Sequence, residues 1–372
     1  MDHAPERTSY DVAVVGAGIV GLSCAWAAEQ RGLSVLVVDR AAPGSGASGV
    51  AAGMLAPVTE AVFGEEALLR LNLEAARRWP AFAARLAEAS GLDTSYSESG
   101  ALMVAADRDD FEELRRIHDF QRAHGLDAEW LPGSRCRELE PGLSPRVRGG
   151  IAARDHSVDP RAIVQALSAV CPEALLADAH GIGIQDGRVV GLQLATGTVA
   201  CRNVVVAAGA WSGSFGVSDV PPVRPVKGQI LRLHGSPPSE GIVRTPRCYV
   251  VPRANGEVVI GATVEEQGFD TRVTAEGVYR LLEAAWEVLP DVGELELVEA
   301  RAGLRPGTPD NGPVVGRGSV DGLIWATGHY RSGILQAPIT ADAVAALLCG
   351  EEPPDELVPF APGRFALAGR PA

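Results

Sequence analysis

Gly16-Ala17-Gly18-Ile19-Val20-Gly21 is a G-x-G-x-x-G string, and glycines at that spacing suit a pyrophosphate. Gly16 permits a tight turn, Gly18 lets backbone approach the phosphates, and Gly21 lets a helix pack closely on a strand. A helix opened by such a turn offers amide hydrogens and the positive end of its dipole, as do the first positions Ile19 and Val20. Asp39, further on, is placed to accept from a ribose diol. The plainer reading is a glycine-rich turn beside a solvated Asp39. The string alone does not separate FAD from NAD. Two later segments bear on that choice. Ala52-Gly53-Met54 lies in a small-residue loop where backbone can approach an isoalloxazine ring. Ala326-Thr327-Gly328 closes a strand and Gly333 opens a helix, whose dipole would face the ring edge that gains charge on reduction. Each has a bland reading too, as a turn and a cap.

These residues need elements to hold them. Tyr10 to Val15 is an apolar run, Ile19 to Gln30 a small-residue helix, and Ser34 to Asp39 a second apolar run. That order is a βαβ unit of a parallel sheet covered on both faces. Glu65 to Glu88 and Asp109 to His124 read as helices, the latter amphipathic through Phe111, Leu114, Ile117 and Phe120. Pro160 to Val170 is a helix capped by Asp159. Val189 to Leu194 and Thr198 to Cys201 form a hairpin about Thr196-Gly197, followed by a separate buried strand, Asn203 to Ala208. Alternating strands fill Val223 to Val264, among them Gln229 to Leu233, Cys248 to Pro252 and Glu257 to Ile260, with Asn255-Gly256 as a hairpin turn. Thr274 to Val288 is helical, Leu323 to Thr327 a strand, and Gly333 to Leu348 a final helix.

The expected fold is α/β plus α+β. A discontinuous Rossmann-like nucleotide-binding domain (1–88, 149–222 and 306–372) receives an inserted antiparallel β-rich substrate domain (89–148 and 223–305). With 372 residues, 46% hydrophobic and 22% charged, the composition is that of a globular protein. A formal net charge of -14 argues against general affinity for nucleic acid or anionic membranes, so an anionic substrate needs locally placed arginine or lysine. The uncharged stretch Val12 to Ala28 is short of the ~20 residues a bilayer requires, and Asp2 and Glu6 spoil a signal-peptide basic region. The six cysteines form no C-x-x-C pair and read as reduced thiols of a cytoplasmic protein. His118 and His124 fall on different faces of a helix, so no metal site is expected.

The chain resembles the D-amino-acid oxidase superfamily, and within it the thiamine-pathway glycine oxidases. The blocks are VAVVGAGIVGLSCA, SGASGVAAGMLAP, VVVAAGAWS, RPVKGQ, CYVVPR, VIGAT, AGLRPGTPDNGPVVG and ATGHYRSGILQAPIT, in order across nearly the whole sequence. The first is common to many flavoproteins; AAGMLAP paired with GLRPGTPD and GHYRSGILQAP is more specific. The resemblance implies noncovalent FAD, oxidation of a primary or secondary amine, and reoxidation by oxygen. No cysteine lies between Glu299 and Ala345 to attach the flavin. It places the cofactor along Gly16, Gly18, Ile19, Val20, Gly21, Asp39, Arg40, Ala47, Ser48, Ala52, Gly53 and Met54, and along His329, Tyr330, Arg331, Ser332, Gly333, Ile334 and Leu335.

In such an oxidase the α-hydrogen leaves as hydride from a neutral amine, and the imine hydrolyses. Catalysis is then chiefly orientation and electrostatics. The needed protein group is a cation for the carboxylate, and arginine's planar fork supplies it bidentately. The resemblance gives that role to Arg305, a pocket role to Tyr249, and contacts with substrate or flavin to Arg331 and Met54. Arg331 in a structural ion pair and Tyr249 in the core are the alternatives. Arg247 and Val264 depart from the family pattern, and Val264 is expected to remove volume beside the pocket. The implied reaction converts glycine to glyoxylate, ammonia and peroxide, or passes the imine to a thiazole synthase, in a dimer or tetramer. Rivals are a sarcosine or small D-amino-acid oxidase, a quinone-linked dehydrogenase, an NAD-dependent dehydrogenase, and a flavin-binding scaffold.

Overall fold

The computed structural model describes residues 7–215, 217 and 220–365; Asp2, Glu6 and the outermost ends of the expected domains lie outside them. From the N-terminus the chain runs β1 (Ser9–Val15), α1 (Ile19–Gln30), β2 (Val35–Asp39), α2 (Ala47–Val50), β3 (Met54–Leu55) and α3 (Glu66–Ser90). There follow β4 (Ala101–Ala105), α4 (Arg108–Ala123), β5 (Ala128–Pro132), α5 (Gly133–Leu139), β6 (Gly149–Ala153), β7 (His156–Ser157), α6 (Pro160–Val170) and β8 (Leu175–Leu176). Next come β9 (Ala179–Gln185), β10 (Arg188–Leu194), β11 (Gly197–Val206), β12 (Arg224–His234), β13 (Ile242–Arg244), β14 (Tyr249–Pro252), β15 (Glu257–Gly261) and α7 (Ala275–Val288). Then β16 (Glu296–Gly307), β17 (Val314–Arg317), β18 (Leu323–Thr327) and α8 (Ala337–Leu348) follow.

One sheet has the order β17-β18-β11-β1-β2-β8, with the β9–β10 hairpin attached to β11. Its strands are parallel from β18 to β8. Val12, Val14, Val35 and Val37 enter one core with α1, α3, α6 and α8, whereas Ala13, Val15, Leu36 and Val38 enter another beneath the hairpin. Burial on both faces is why these strands read as unbroken apolar runs. The uncharged stretch Val12 to Ala28 is thus β1 and α1, packed in this core. Among the described residues no helix is long and apolar enough to cross a membrane.

The second sheet is β16-β12-β15-β14-β13-β4-β6-β5. Its Leu231, Leu233, Val250, Val258 and Ile260 pack with Leu281, Ala284 and Ala285 of α7. The alternate residues Ile230, Val251 and Val259 face Val50 and Ala52 of the first unit. This contact sets the loop that follows α2 against the sheet.

Several sequence expectations are corrected. The two strands expected at Thr198–Cys201 and Asn203–Ala208 are the single β11. Its first residues pair with β10, and its residues from Ala200 to Val206 pair with β1, so polar Arg202 merely alternates outward. Gly149–Ala153, counted with the nucleotide-binding segments, pairs with β4 in the second sheet. The last helix begins at Ala337, not Gly333: Pro338 has no N–H to give the Ile334 carbonyl, so the ladder cannot run back through that turn.

A buried ionic cluster joins the units. Arg232 and Arg253, each almost fully buried, both donate to Glu257 Oε2 at 2.8 Å. Burial works against the Glu257 carboxylate, yet Arg232 and Arg253 together hold its pKa below the usual carboxylate range. Arg253 also donates to the Val158 and Ala52 carbonyls at 2.8 Å. Breaking a buried pair strands its charges. Glu257→Gln is therefore expected to lower stability by roughly 3 kcal/mol. Denaturant midpoints of the two proteins check this, and an unchanged midpoint would remove the cluster from the account.

At the end of β18, His329 is buried and hydrogen-bonded through Nε2 to Thr340 Oγ1 at 3.0 Å. Burial pulls its pKa from 6.5 down to about 3. As pH falls through 6.5 the unfolded chain takes up a proton that the native state refuses until about pH 3. This residue therefore makes stability fall with acidification across that window, with a slope approaching ~1.4 kcal/mol per pH unit. His329→Gln should flatten the dependence of Tm on pH between 6.5 and 4.5. Parallel curves for variant and parent would contradict the linkage.

Candidate functional site

A cavity of 730 Å³ runs from the N-terminus of α1 to the inner face of the second sheet. That volume is within the range of cofactor-sized sites. At its first end are Gly16, Gly18, Ile19 and Val20. Gly16 has φ +111°, and a Cβ there would lie 2.4 Å from the Ala207 carbonyl oxygen. The N-cap of α1 is Gly18, which has no side chain of its own to cap the helix. Ile19 N–H donates to Ser48 Oγ at 3.0 Å, while Asp39 accepts from Ala17 N–H at 2.7 Å and Ala41 N–H at 3.0 Å. Asp39 thus pins the glycine turn as well as lining the cavity. Arg40 lies over the Trp211 ring at 3.9 Å, and Trp211 stacks on Phe269.

Ala47, Ser48, Ala52, Gly53 and Met54 also line the cavity, as do His329, Tyr330, Arg331, Gly333 and Ile334. Three expected cofactor positions are not in the wall. Gly21 serves packing, since a Cβ there would sit 1.9 Å from Gly16 O. Ser332 Oγ accepts from Asn72 at 3.4 Å and the Leu335 carbonyl from Trp79 at 2.8 Å, which turns both toward α3. Arg331 reaches the wall, but its guanidinium pairs with Glu65, which also accepts from Asn311 at 2.8 Å. The ion-pair alternative is what the geometry provides for Arg331.

At the far end, Arg305 on β16 and Tyr249 on β14 reach over the second sheet toward one another, and glycines make this possible. A Cβ on Gly228 would fall 2.3 Å from Arg305 Nη1, and one on Gly261 would fall 2.4 Å from the Tyr249 hydroxyl. The strands therefore carry a bare floor on which both side chains lie flat. Arg305 Nη1 donates to the Thr263 carbonyl at 3.1 Å, and among the described residues Arg305 has no carboxylate partner. Burial pushes the Tyr249 phenol up, while the adjacent Arg305 acts the other way. A cation held by carbonyls, with a phenol beside it, is an anion-binding arrangement suited to a small carboxylate.

The two departures from the family pattern lie elsewhere. Val264 is 65% exposed and absent from the cavity wall, so it removes no pocket volume. Arg247 pairs with Glu287 near the surface. Sequence reasoning missed Gly228, Gly261, Trp211, Lys227 and Glu60. Lys227 is 1% exposed and is held by Glu265 and Asp270, which anchors the loop after β15. Glu60 lines the cavity and pairs with Arg244 at 3.2 Å. Each depends on partners far off in sequence; only the glycines, inside otherwise apolar strands, were a readable signal of close approach. Among the described residues no three His, Cys, Asp or Glu side chains form a metal-sized cluster.

Comparison with known proteins gives a consistent result. The family model described as FAD dependent oxidoreductase, DAO, matches residues 11–347. Glycine oxidase of Geobacillus kaustophilus is 33% identical over 364 residues, covering 94% of this chain and 96% of its own. A crystal structure of glycine oxidase from Geobacillus kaustophilus matches with a TM-score of 0.89 at 32% identity, covering 96% of this chain and 99% of that one. The bifunctional protein ThiO/ThiG of Trichormus variabilis is 33% identical over 95% of this chain, which spans 55% of that protein. Hydrogen cyanide synthase subunit HcnC of Pseudomonas aeruginosa is 29% identical, covering 96% of both chains.

The cavity fits the cofactor of such a family. A helix whose N-cap is glycine opens onto it behind a second glycine that admits no side chain, and Asp39, Ser48 and the small-residue loop continue the cradle. When bound, FAD supplies acceptance of two electrons from substrate. The match over residues 11–347 and the whole-chain likeness to glycine oxidase agree with this cavity: the chain belongs to the DAO family of FAD dependent oxidoreductases.

Proposed function

We propose that this protein oxidises a small α-amino acid, with glycine as the preferred substrate, using noncovalently held FAD and oxygen as the final acceptor. The observation that carries the reading is Arg305: a guanidinium in the cavity wall, oriented by backbone carbonyls and paired with no carboxylate among the described residues. Arg305 binds the substrate carboxylate bidentately, and the Tyr249 hydroxyl donates beside it. Met54 and Ile230 give that end apolar walls, which strengthen the ionic contact by excluding water. Orientation of the α-hydrogen is then the protein's main contribution to rate. The products are glyoxylate, ammonia and peroxide. The whole-chain likeness to glycine oxidase supports the substrate, and the likeness to ThiO/ThiG supports supply of the imine to a thiazole synthase. A homo-oligomer in the cytoplasm, with a nucleotide-binding unit and a β-rich substrate unit, completes the reading.

Peroxide release on adding glycine, sarcosine and D-alanine separately tests it; glycine should give the highest kcat/KM. A pure holoenzyme that releases peroxide with none of the three would end the proposal. Arg305→Ala should cost ~2–4 kcal/mol of transition-state binding, read as kcat/KM, while the visible flavin spectrum stays. Near-normal turnover at low glycine would remove Arg305 from its role. Gly228→Ala should act on the same residue indirectly. The added methyl displaces only the flexible end of Arg305, so kcat/KM falls at least about tenfold with Tm held within a few degrees. A collapse of Tm with unchanged kinetics in the remaining folded protein would contradict the bare-floor argument.

A further inference from the structure

The amino-acid reading leaves one end of the substrate unassigned. A zwitterion fixed through its carboxylate still carries an ammonium group, and of the acids that line the cavity (Asp39, Glu60 and Asp178) Glu60 is the one whose charge reaches Tyr249 beside Arg305. Arg244 and Tyr249 are direct partners across the β13–β14 ladder, so their side chains stand next to each other on one face of the sheet. Glu60 pairs with Arg244 at 3.2 Å and is electrostatically felt by Tyr249, as is Arg305. Glu60, Arg244, Tyr249 and Arg305 therefore succeed one another along the cavity side of the second sheet.

Glu60 is both fixed and free to accept. The preceding residues are pinned by a buried carboxylate: Asp155 accepts from Val58 N–H at 3.1 Å, Thr59 N–H at 2.8 Å and Thr59 Oγ1 at 2.6 Å. Buried Gln121 donates to the Val58 carbonyl at 3.0 Å. Yet among the described residues Arg244 Nη1 and Nε are buried without a hydrogen-bond partner, so the contact with Glu60 is ionic without hydrogen-bond geometry. Among the described residues no donor is hydrogen-bonded to the Glu60 carboxylate.

We infer that Glu60 binds the substrate's ammonium group and takes the proton it sheds before hydride leaves, with Arg244 as the positioning residue that holds the carboxylate in the wall. Arg305 and Glu60 then make a two-point site for a zwitterion, selecting amino acids over simple carboxylates. The inference rests on the amino-acid reading above and names a second determinant of that site.

The test uses holoenzyme and two probes, glycine and acetate, the latter a carboxylate with no amine. In Glu60→Gln, kcat/KM for glycine should fall roughly tenfold to a hundredfold, the loss expected of a charge-assisted contact. The acetate Kd, from perturbation of the visible spectrum, should hold or tighten. In Arg305→Ala both should weaken. Arg244→Met should raise KM for glycine with little change for acetate. Unchanged glycine kinetics in Glu60→Gln, or equal weakening for glycine and acetate, would overturn the role of Glu60. A parent enzyme that binds acetate yet oxidises no amino acid would overturn the functional reading, and this inference with it.

Discussion

Burying arginine requires acceptors, and this molecule turns that requirement into its main joint. Arg232 and Arg253 sit at the inner face of the second sheet, and Glu257 compensates both of them. Arg253 also donates to carbonyls of the other unit at Ala52 and Val158, and Arg232 to that of Gly49, while among the described residues Arg232 Nε has only an ionic contact with Glu299 at 3.5 Å. Arg161 repeats the device from α6, donating to Gly49 O at 2.9 Å and to Glu299 at 2.6 Å. The loop gripped in this way, Gly49 to Gly53, has few side chains with which to hold itself. Guanidinium groups suit the task because each offers five donors in a rigid fork. With the apolar contact of Val50 and Ala52 on the sheet, this joint fixes the loop against the sheet face and so the shape of the cavity between them.

The second constraint is an absence of side chains. Gly228 and Gly261 leave bare backbone where Arg305 and Tyr249 come to rest, and Val50 packs against Gly303 in the same way. Long side chains lying flat on a sheet lose their freedom to packing before any ligand arrives, so less ordering remains to oppose binding. The geometry also explains why Arg305 has carbonyl rather than carboxylate partners. The loop after β15 turns its Thr263 carbonyl oxygen toward the guanidinium and orients it without neutralising it.

Local signals in the sequence carried far. The glycine string, α1 and Asp39 were legible because a βαβ turn is specified by neighbours, and Pro160–Val170 because Asp159 caps it and proline opens it. β16 was not, although Arg305 was singled out on it. Its outer half exposes Leu297 and Val298, and its inner half is broken by Gly303, so neither period appears. β6 was missed because Gly and Ala fill it where a pattern would need larger apolar side chains, and β4 because its Leu102-Met103-Val104 run is buried on both faces and too short to show a period. Val264 was misplaced by likeness of motif: the residue after Gly-Ala-Thr belongs to a loop that turns it to solvent. Glu60 had no local signature, since its place is decided by Asp155, Gln121 and Arg244, all distant in the chain.

Net charge and site charge act on different species. A chain of -14 repels a free monoanion over about a Debye length, roughly 8 Å at physiological salt. A zwitterion has no net charge to repel, so the same field neither steers it nor excludes it. Discrimination then falls to contacts inside the cavity. There, among the described residues, Arg305 is a cation without a carboxylate partner and Glu60 an acid without a hydrogen-bonded donor. Both gain strength from the apolar surroundings that Met54, Val50 and Ile230 provide. On the function proposed above, the acidic exterior and the charge-matched interior favour the same molecule, a small solute carrying both signs, over an anion of the same size.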